Sequence, residues 1–331
     1  MPCAHLWAPG IASHTEDTRS VMSAASQAGP TLDLSGVFIP AVTPFDPVTG
    51  DADLVATRSN VRRWVESPIR GILVGGSTGE AVLLEDQERK RLLEAVRDVL
   101  PSDRLLLAGT GGESTRRTVR LTKEAADQGS DAVLVQPPAF YVPAMTPEVL
   151  REHYLVVADA SPVPVILYQV PPKFATLDLA TGLVSELSRH PNIIGIKDSR
   201  GKLDLVGDLV THTQPGFQVL VGNGALLYAA LEVGAVGGIL GVANLAAEDA
   251  AAICQAFVAG DHATAGKVQQ RIAPAHVEIV GGLGVPGVKA GVDLLGLTGG
   301  PPRPPLRPLA ERDREKVEQI LRDAELLVPA S

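Results

Sequence analysis

From residue 36 onward the chain repeats one unit eight times, a short β-rich run followed by a helical pattern. The β-rich runs fall at 36–42, 70–75, 104–109, 131–136, 163–168, 192–197, 217–221 and 236–241. The helical patterns fall at 53–66, 86–99, 114–128, 147–160, 178–189, 203–212, 224–233 and 246–258. Short apolar runs of this kind read as parallel strands covered on both faces. Eight strand–helix units in series predict an α/β fold of one kind, a parallel (β/α)8 (TIM) barrel. Local punctuation agrees with that reading. Thr146-Pro147-Glu148 offers a helix cap, a first-turn proline and an early acid. Ser114 stands at a cap position, and Gly129 and Gly260 close helices.

The pattern divides the chain into an extension over 1–34, the barrel over 35–258 and a C-terminal helical region over 259–331. In the last region, 261–279, 286–295 and 311–326 read as helices, and the proline-rich run 301–308 reads as extended chain. Residues 1–30 are rich in Ala, Ser, Thr, Pro and Gly and show little periodicity. They lack the basic and apolar regions of a signal peptide. They read as a flexible extension, or as sequence ahead of a true start at Met22.

Composition narrows the function. The net charge is -9, with no basic run and no interleaving of aromatic with basic residues. Nucleic acid and anionic membrane surfaces are therefore not the expected partners. No apolar run reaches the length of a membrane span. Cys3 and Cys254 are far apart and unlike a disulfide framework, so a reduced, cytoplasmic protein is expected. The seven histidines show no metal-binding spacing.

The candidate chemistry sits at strand ends, and barrel active sites lie at the C-terminal ends of the strands. The run Ile193-Ile194-Gly195-Ile196 leads straight into Lys197. An ammonium is costly to bury unless paired, and a buried amine that gives up its proton can attack a carbonyl to form a Schiff base. A lysine whose tip reaches solvent explains this segment equally well. The run 163–168 ends in Tyr168 and is one helix away from the lysine strand, so the two residues share one end of the sheet. A phenol there can move the protons that imine formation requires, although a core tyrosine would look the same. A third strand enters the glycine-rich turn Gly75-Gly76-Ser77-Thr78-Gly79-Glu80. Its hydroxyls and N–H groups can hold a carboxylate. The turn lacks both the P-loop lysine and the dinucleotide-binding glycine spacing. Glu80 reads as structural, a carboxylate at a helix start. Asp198 points to the opposite strand face from Lys197 and reads as a turn or capping group.

These segments, with Gly36-Val37-Phe38-Ile39-Pro40-Ala41-Val42-Thr43-Pro44-Phe45 and Leu167-Tyr168-Gln169-Val170-Pro171, resemble the dihydrodipicolinate synthase and N-acetylneuraminate lyase superfamily of pyruvate-type class I aldolases. The resemblance runs from about 35 to about 325, and the C-terminal stretches 286–289 and 299–306 look most like its 4-hydroxy-2-oxoglutarate aldolase branch. It implies a Schiff base at Lys197 with the ketone of a small 2-oxo acid, proton transfer by Tyr168, and carboxylate binding at Gly76, Ser77 and Thr78. Ile239 would lie close to the lysine and shape the site. No metal or organic cofactor is implied, and a homodimer or homotetramer is. Two departures bear on the substrate. Lys173 stands where the synthases carry an arginine that grips a second carboxylate, and a lysine keeps the charge but loses the bidentate fork. An exposed loop lysine is the alternative. After the fourth run, Ala139-Phe140-Tyr141 offers one hydroxyl where the synthases have two, leaving Tyr141 as the candidate remnant of a proton relay. The expected activity is cleavage or formation of a 4-hydroxy-2-oxo acid, with 4-hydroxy-2-oxoglutarate first. Dihydrodipicolinate synthesis and a non-catalytic metabolite-binding barrel are the alternatives.

Overall fold

The structure, a computed structural model, describes residues 32–327. The extension expected over 1–34, and the reading of Met22, lie outside these residues apart from the last few positions.

Eight parallel strands close into a barrel in chain order, the last pairing back to the first. They are β1 (Gly36–Pro40), β2 (Gly71–Val74), β3 (Leu105–Gly109), β4 (Ala132–Val135), β5 (Val165–Gln169), β6 (Ile193–Asp198), β7 (Gln218–Val221) and β8 (Gly237–Ile239). Helices α1 (Leu54–Trp64), α2 (Asp86–Arg97), α3 (Thr115–Asp127), α4 (Pro147–Ala160), α5 (Thr181–Leu187), α6 (Leu203–His212), α7 (Leu227–Glu232) and α8 (Ala247–Val258) alternate with them. The expected barrel is the one observed. Thr146 and Ser114 cap their helices through their side chains, accepting from Val149 N and Arg117 N.

The strands' period of two sorts the core into two layers. Phe38, Leu73, Leu107, Leu134, Ile166, Tyr168, Leu220 and Ile239 fill the barrel interior. Their neighbours, such as Val37, Ile72, Leu106, Val133 and Leu167, face the helices. Full burial of each such side chain contributes about 1.5–3 kcal/mol.

One strand breaks this parity. In β6, Ile193 faces the helices, Ile194 faces the interior, and Ile196 faces the helices again. Pairing with β5 skips a residue, from Val165–Ile193 to Ile166–Gly195. This bulge inserts one position into the alternation. Strict alternation from Ile193 would turn residue 197 toward the helices; the bulge turns it inward. It also sets Tyr168 directly opposite Lys197.

Two helices are shorter than the sequence pattern predicts. The stretch before α5 is held extended by buried Gln169, whose Oε1 accepts from Leu179 N at 2.6 Å and whose Nε2 donates to Leu177 O at 3.1 Å. The stretch before α7 is a 3₁₀ turn, Gly224–Leu226, with its polar groups engaged from outside the helix. Gly224 N donates to His276 Nδ1, and Gln269 both receives Tyr228 N and donates to Gly224 O.

Beyond the barrel, the helix expected over 261–279 is α9 (His262–Pro274) running into a π-helix, Ala275–Leu283. Then follow α10 (Gly284–Leu294) and α11 (Glu311–Asp323). The proline-rich run is more than a linker. Lys289, on α10, is 1% exposed and donates to Pro301 O, Thr43 O and Glu80 Oε1 at 2.7–2.8 Å. Arg303 N donates to Glu80 Oε2 at 2.8 Å. Glu80 is therefore structural, as expected, but by another route. It caps no helix N–H with its side chain. Instead its buried carboxylate ties the β2 turn to the C-terminal region, in a left-handed backbone conformation at φ 58°. Cys254 is a free, buried thiol. No helix among the described residues is long and apolar enough to cross a membrane.

Candidate active site

Lys197 is buried at the C-terminal end of β6, its Nζ 4.4 Å from the centroid of the Tyr168 ring. The adjacent carboxylate gives it no partner. Asp198 turns away and accepts from the backbone N and the guanidinium of Arg200, a turn-stabilising pair. Tyr168, also buried, brings its hydroxyl to 3.3 Å from Ser77 Oγ.

Ser77 and Thr78 open a one-turn 3₁₀ helix directly after β2. Its first N–H groups have no acceptor within the turn. The turn needs glycine before it, because Gly75 has φ 70°. It is then braced from both sides, with Thr43 Oγ1 donating to Gly79 O at 2.8 Å and Lys289 holding Glu80. Lysine, phenol and turn meet in one cavity of about 270 Å³ at the barrel mouth.

The expected residues divide as follows. Lys197, Tyr168, Ser77, Thr78, Ile239 and Lys173 all line this cavity. Gly76 lies behind it, in a small neighbouring recess that also touches Tyr168. Lys173 is exposed at the rim, and its Nζ donates to Gly281 O of the π-helix at 2.8 Å. Tyr141 is not brought to the cavity by its own chain. It is 70% exposed and packs edge-on against Phe140.

Three polar lining residues were missed by sequence reasoning: Ser199, Asn223 and His276. Ser199 carried a usable signal, since it lies two positions after the lysine on the same strand end. Gly222 stands against both; a Cβ there would meet Ser199 Oγ at 1.8 Å and Lys197 Cε at 3.1 Å. The other two come from β7's turn and from the C-terminal region, and no local spacing links them to Lys197. The cavity wall carries two lysines and not one aspartate or glutamate, in a chain of net charge -9. A small anion is therefore the charge class that it accommodates. Among the described residues, no group of three or more His, Cys, Asp or Glu side chains is arranged to hold a metal ion.

A buried lysine beside a phenol is an arrangement that Schiff-base chemistry can use, and carbon–carbon lyases that work through a Schiff base are the class that the chain's relatives support. Residues 33–324 match the model of the Dihydrodipicolinate synthetase family, and the chain belongs to that family. A probable mitochondrial 4-hydroxy-2-oxoglutarate aldolase of Emericella nidulans is 36% identical over 244 residues, 72% of this chain and 79% of that one. The 4-hydroxy-tetrahydrodipicolinate synthase of Syntrophus aciditrophicus is 32% identical over 292 residues, 88% of this chain and 99% of that one. Higher identity thus goes with the aldolase and longer coverage with the synthase, so similarity alone does not choose between the two activities. Among solved structures, a chloride-inhibited dihydrodipicolinate synthase of Acinetobacter baumannii in complex with pyruvate superposes with a TM-score of 0.85 at 31% identity, covering 89% of this chain and 100% of that one. An E. coli K12 prophage protein of the same family, also in complex with pyruvate, gives 0.83 at 27% identity, covering 89% and 99%.

Proposed function

We propose that the chain cleaves, and in reverse forms, a 4-hydroxy-2-oxo acid, releasing pyruvate and an aldehyde, with 4-hydroxy-2-oxoglutarate as first substrate. The observation that carries this reading is the meeting of Lys197, Tyr168 and the Ser77–Thr78 turn in one acid-free cavity. The turn's hydroxyls and N–H groups bind the carboxylate at C1. The Lys197 amine attacks the C2 ketone, and loss of water gives the protonated imine. Electrons of the C3–C4 bond flow to the imine nitrogen as the C4 hydroxyl loses its proton, which releases the aldehyde and leaves an enamine. Protonation at C3 and hydrolysis of the imine return pyruvate and the free amine. The Tyr168 phenol sets its hydroxyl against Ser77 Oγ and its ring against the Lys197 ammonium group, a position that supports a role in passing these protons.

Intact-mass analysis after borohydride reduction with pyruvate is expected to show one adduct per chain, on the Lys197 peptide, and none in Lys197→Ala. An adduct retained in that variant would overturn the assignment of the nucleophile. A barrel that only binds metabolites would give no adduct in the native chain.

The synthase reading is favoured by the names of most of the relatives. Lys173 counts against it, because a single ammonium, here directed at Gly281 O, orients a second carboxylate less firmly than an arginine fork. On one preparation, kcat/KM for cleavage of 4-hydroxy-2-oxoglutarate should exceed that for condensation of pyruvate with aspartate semialdehyde. If the semialdehyde reaction is faster by tenfold, about 1.4 kcal/mol of transition-state stabilisation, the synthase reading replaces ours.

A homodimer or homotetramer completes the proposal. Val82, Phe140, Tyr141 and Phe174 are 80%, 77%, 70% and 58% exposed, large apolar surfaces suited to a second copy. Sedimentation at micromolar concentration distinguishes the oligomer from a monomer.

A further inference from the structure

We infer that His276 is a specificity residue of this site: its Nε2–H donates to an oxygen-bearing group on the aldehyde half of the substrate, so the enzyme favours aldehydes with an adjacent carboxylate over alkyl ones. This rests on the imine reading above, in which the pyruvate half occupies Lys197 and the Ser77–Thr78 turn.

His276 lies in the π-helix Ala275–Leu283, and its ring lines the cavity. π-Helical turns are rare and recur at functional sites. The ring is held rather than free to turn. Gly224 N donates to its Nδ1 at 3.2 Å, and a Cβ on Gly224 would already meet that atom at 3.1 Å. A backbone N–H can only donate, so Nδ1 is the acceptor and the proton sits on Nε2. That is the one hydrogen bond of the ring among the described residues. The ring thus carries a fixed donor with no protein acceptor.

Its place in the cavity matches the far half of the substrate. A Cβ on Gly222 would meet Lys197 Cε at 3.1 Å, and Gly224 N is hydrogen-bonded to His276 Nδ1. Lys197 and His276 thus stand by the first and last residues of one three-residue segment, 222–224, and both line the cavity. Asn223, between the two glycines, spends its Oδ1 on Ala225 N, and it lines the same cavity with Ser199. The wall offers hydrogen-bond donors and no carboxylate, so an acceptor-rich group binds there and a methyl group leaves the donors unpaired. Unpaired buried polar groups are what make a polar site reject an apolar analogue.

The test compares 4-hydroxy-2-oxoglutarate with 4-hydroxy-2-oxopentanoate, which replaces the far carboxylate by a methyl group. The wild-type enzyme should prefer the former in kcat/KM by at least tenfold. His276→Leu should lower that preference at least tenfold, mainly through KM, while borohydride trapping of pyruvate alone stays within about twofold. His276→Gln, which keeps an N–H near the Nε2 position, should restore most of the preference. An unchanged preference in His276→Leu with trapping intact overturns the inference, as does a wild-type enzyme with no preference. Loss of trapping in the wild type sinks the imine reading instead. If His276→Leu does not fold, the wild-type pyruvyl adduct titrated with glyoxylate decides the matter. The Nε2 resonance of His276 should shift on binding, and saturable binding without that shift overturns the inference.

Discussion

His153 is buried on α4, 4% exposed, with Nδ1 2.8 Å from Thr115 Oγ1 and Nε2 without a partner. Burial pulls its pKa from the ordinary 6.5 to about 4. Between these values the unfolded chain binds a proton and the folded chain does not. Stability from this group is therefore complete above pH 6.5 and is lost as pH falls toward 4, by up to roughly 3 kcal/mol. Burial, helped by the charge of Lys173, pulls His276 to about 4 as well, and it adds to the same loss. Urea titrations at pH 7 and pH 5 are expected to show a drop that His153→Gln reduces; equal drops in both proteins would assign the effect elsewhere. Residues differ in how far the sequence gives them away. Lys197, Tyr168, Ser77 and Thr78 end apolar runs, where a polar side chain stands out. His276 sits in an ordinary helical pattern, and its relation to Gly224 exists only after the chain has folded. The partnership of Glu80 with Lys289 spans 209 positions and is equally invisible in the sequence.

At the scale of elements, the bulge in β6 decides which way Lys197 faces. Ile194 is the residue the pairing skips, and Gly195, directly after it, pairs with Ile166 and Gln218 of the flanking strands. A Cβ there would meet Gln218 O at 2.4 Å, and a backbone atom has little room to yield. Gly195→Ala is expected to destabilise the fold by about 1–3 kcal/mol and to reduce adduct formation at Lys197. Normal denaturant midpoint and normal trapping together would show that the bulge tolerates a side chain. The strands were legible because each is a compact apolar run, and the bulge was not, because Ile193-Ile194-Gly195-Ile196 has no polar residue to reveal a change of face. Helices α5 and α7 were overdrawn for a related reason. Gln169, Gln269 and His276 capture the backbone groups that would otherwise extend them, and those captures are tertiary.

At the scale of the whole molecule, barrel and C-terminal region share a buried ion pair. Burial pulls the Lys289 ammonium below the usual lysine range, and Glu80 opposes that shift. Removing one partner of such a pair typically costs about 3–5 kcal/mol, because the other charge is left buried and alone. Lys289→Met is expected to lower the urea midpoint accordingly and to raise the pyruvate concentration needed for half-maximal trapping, since Glu80 anchors the turn that carries Ser77 and Thr78. A variant with its midpoint lowered but its pyruvate dependence unchanged would show that the pair holds the fold without setting the turn. The order of synthesis gives this pair a further consequence. The turn leaves the ribosome early, whereas its anchor is added only when position 289 has been made and 301–303 have followed. A chain stopped short of that point carries the whole barrel wall, Lys197 included, with the Ser77–Thr78 turn not yet anchored.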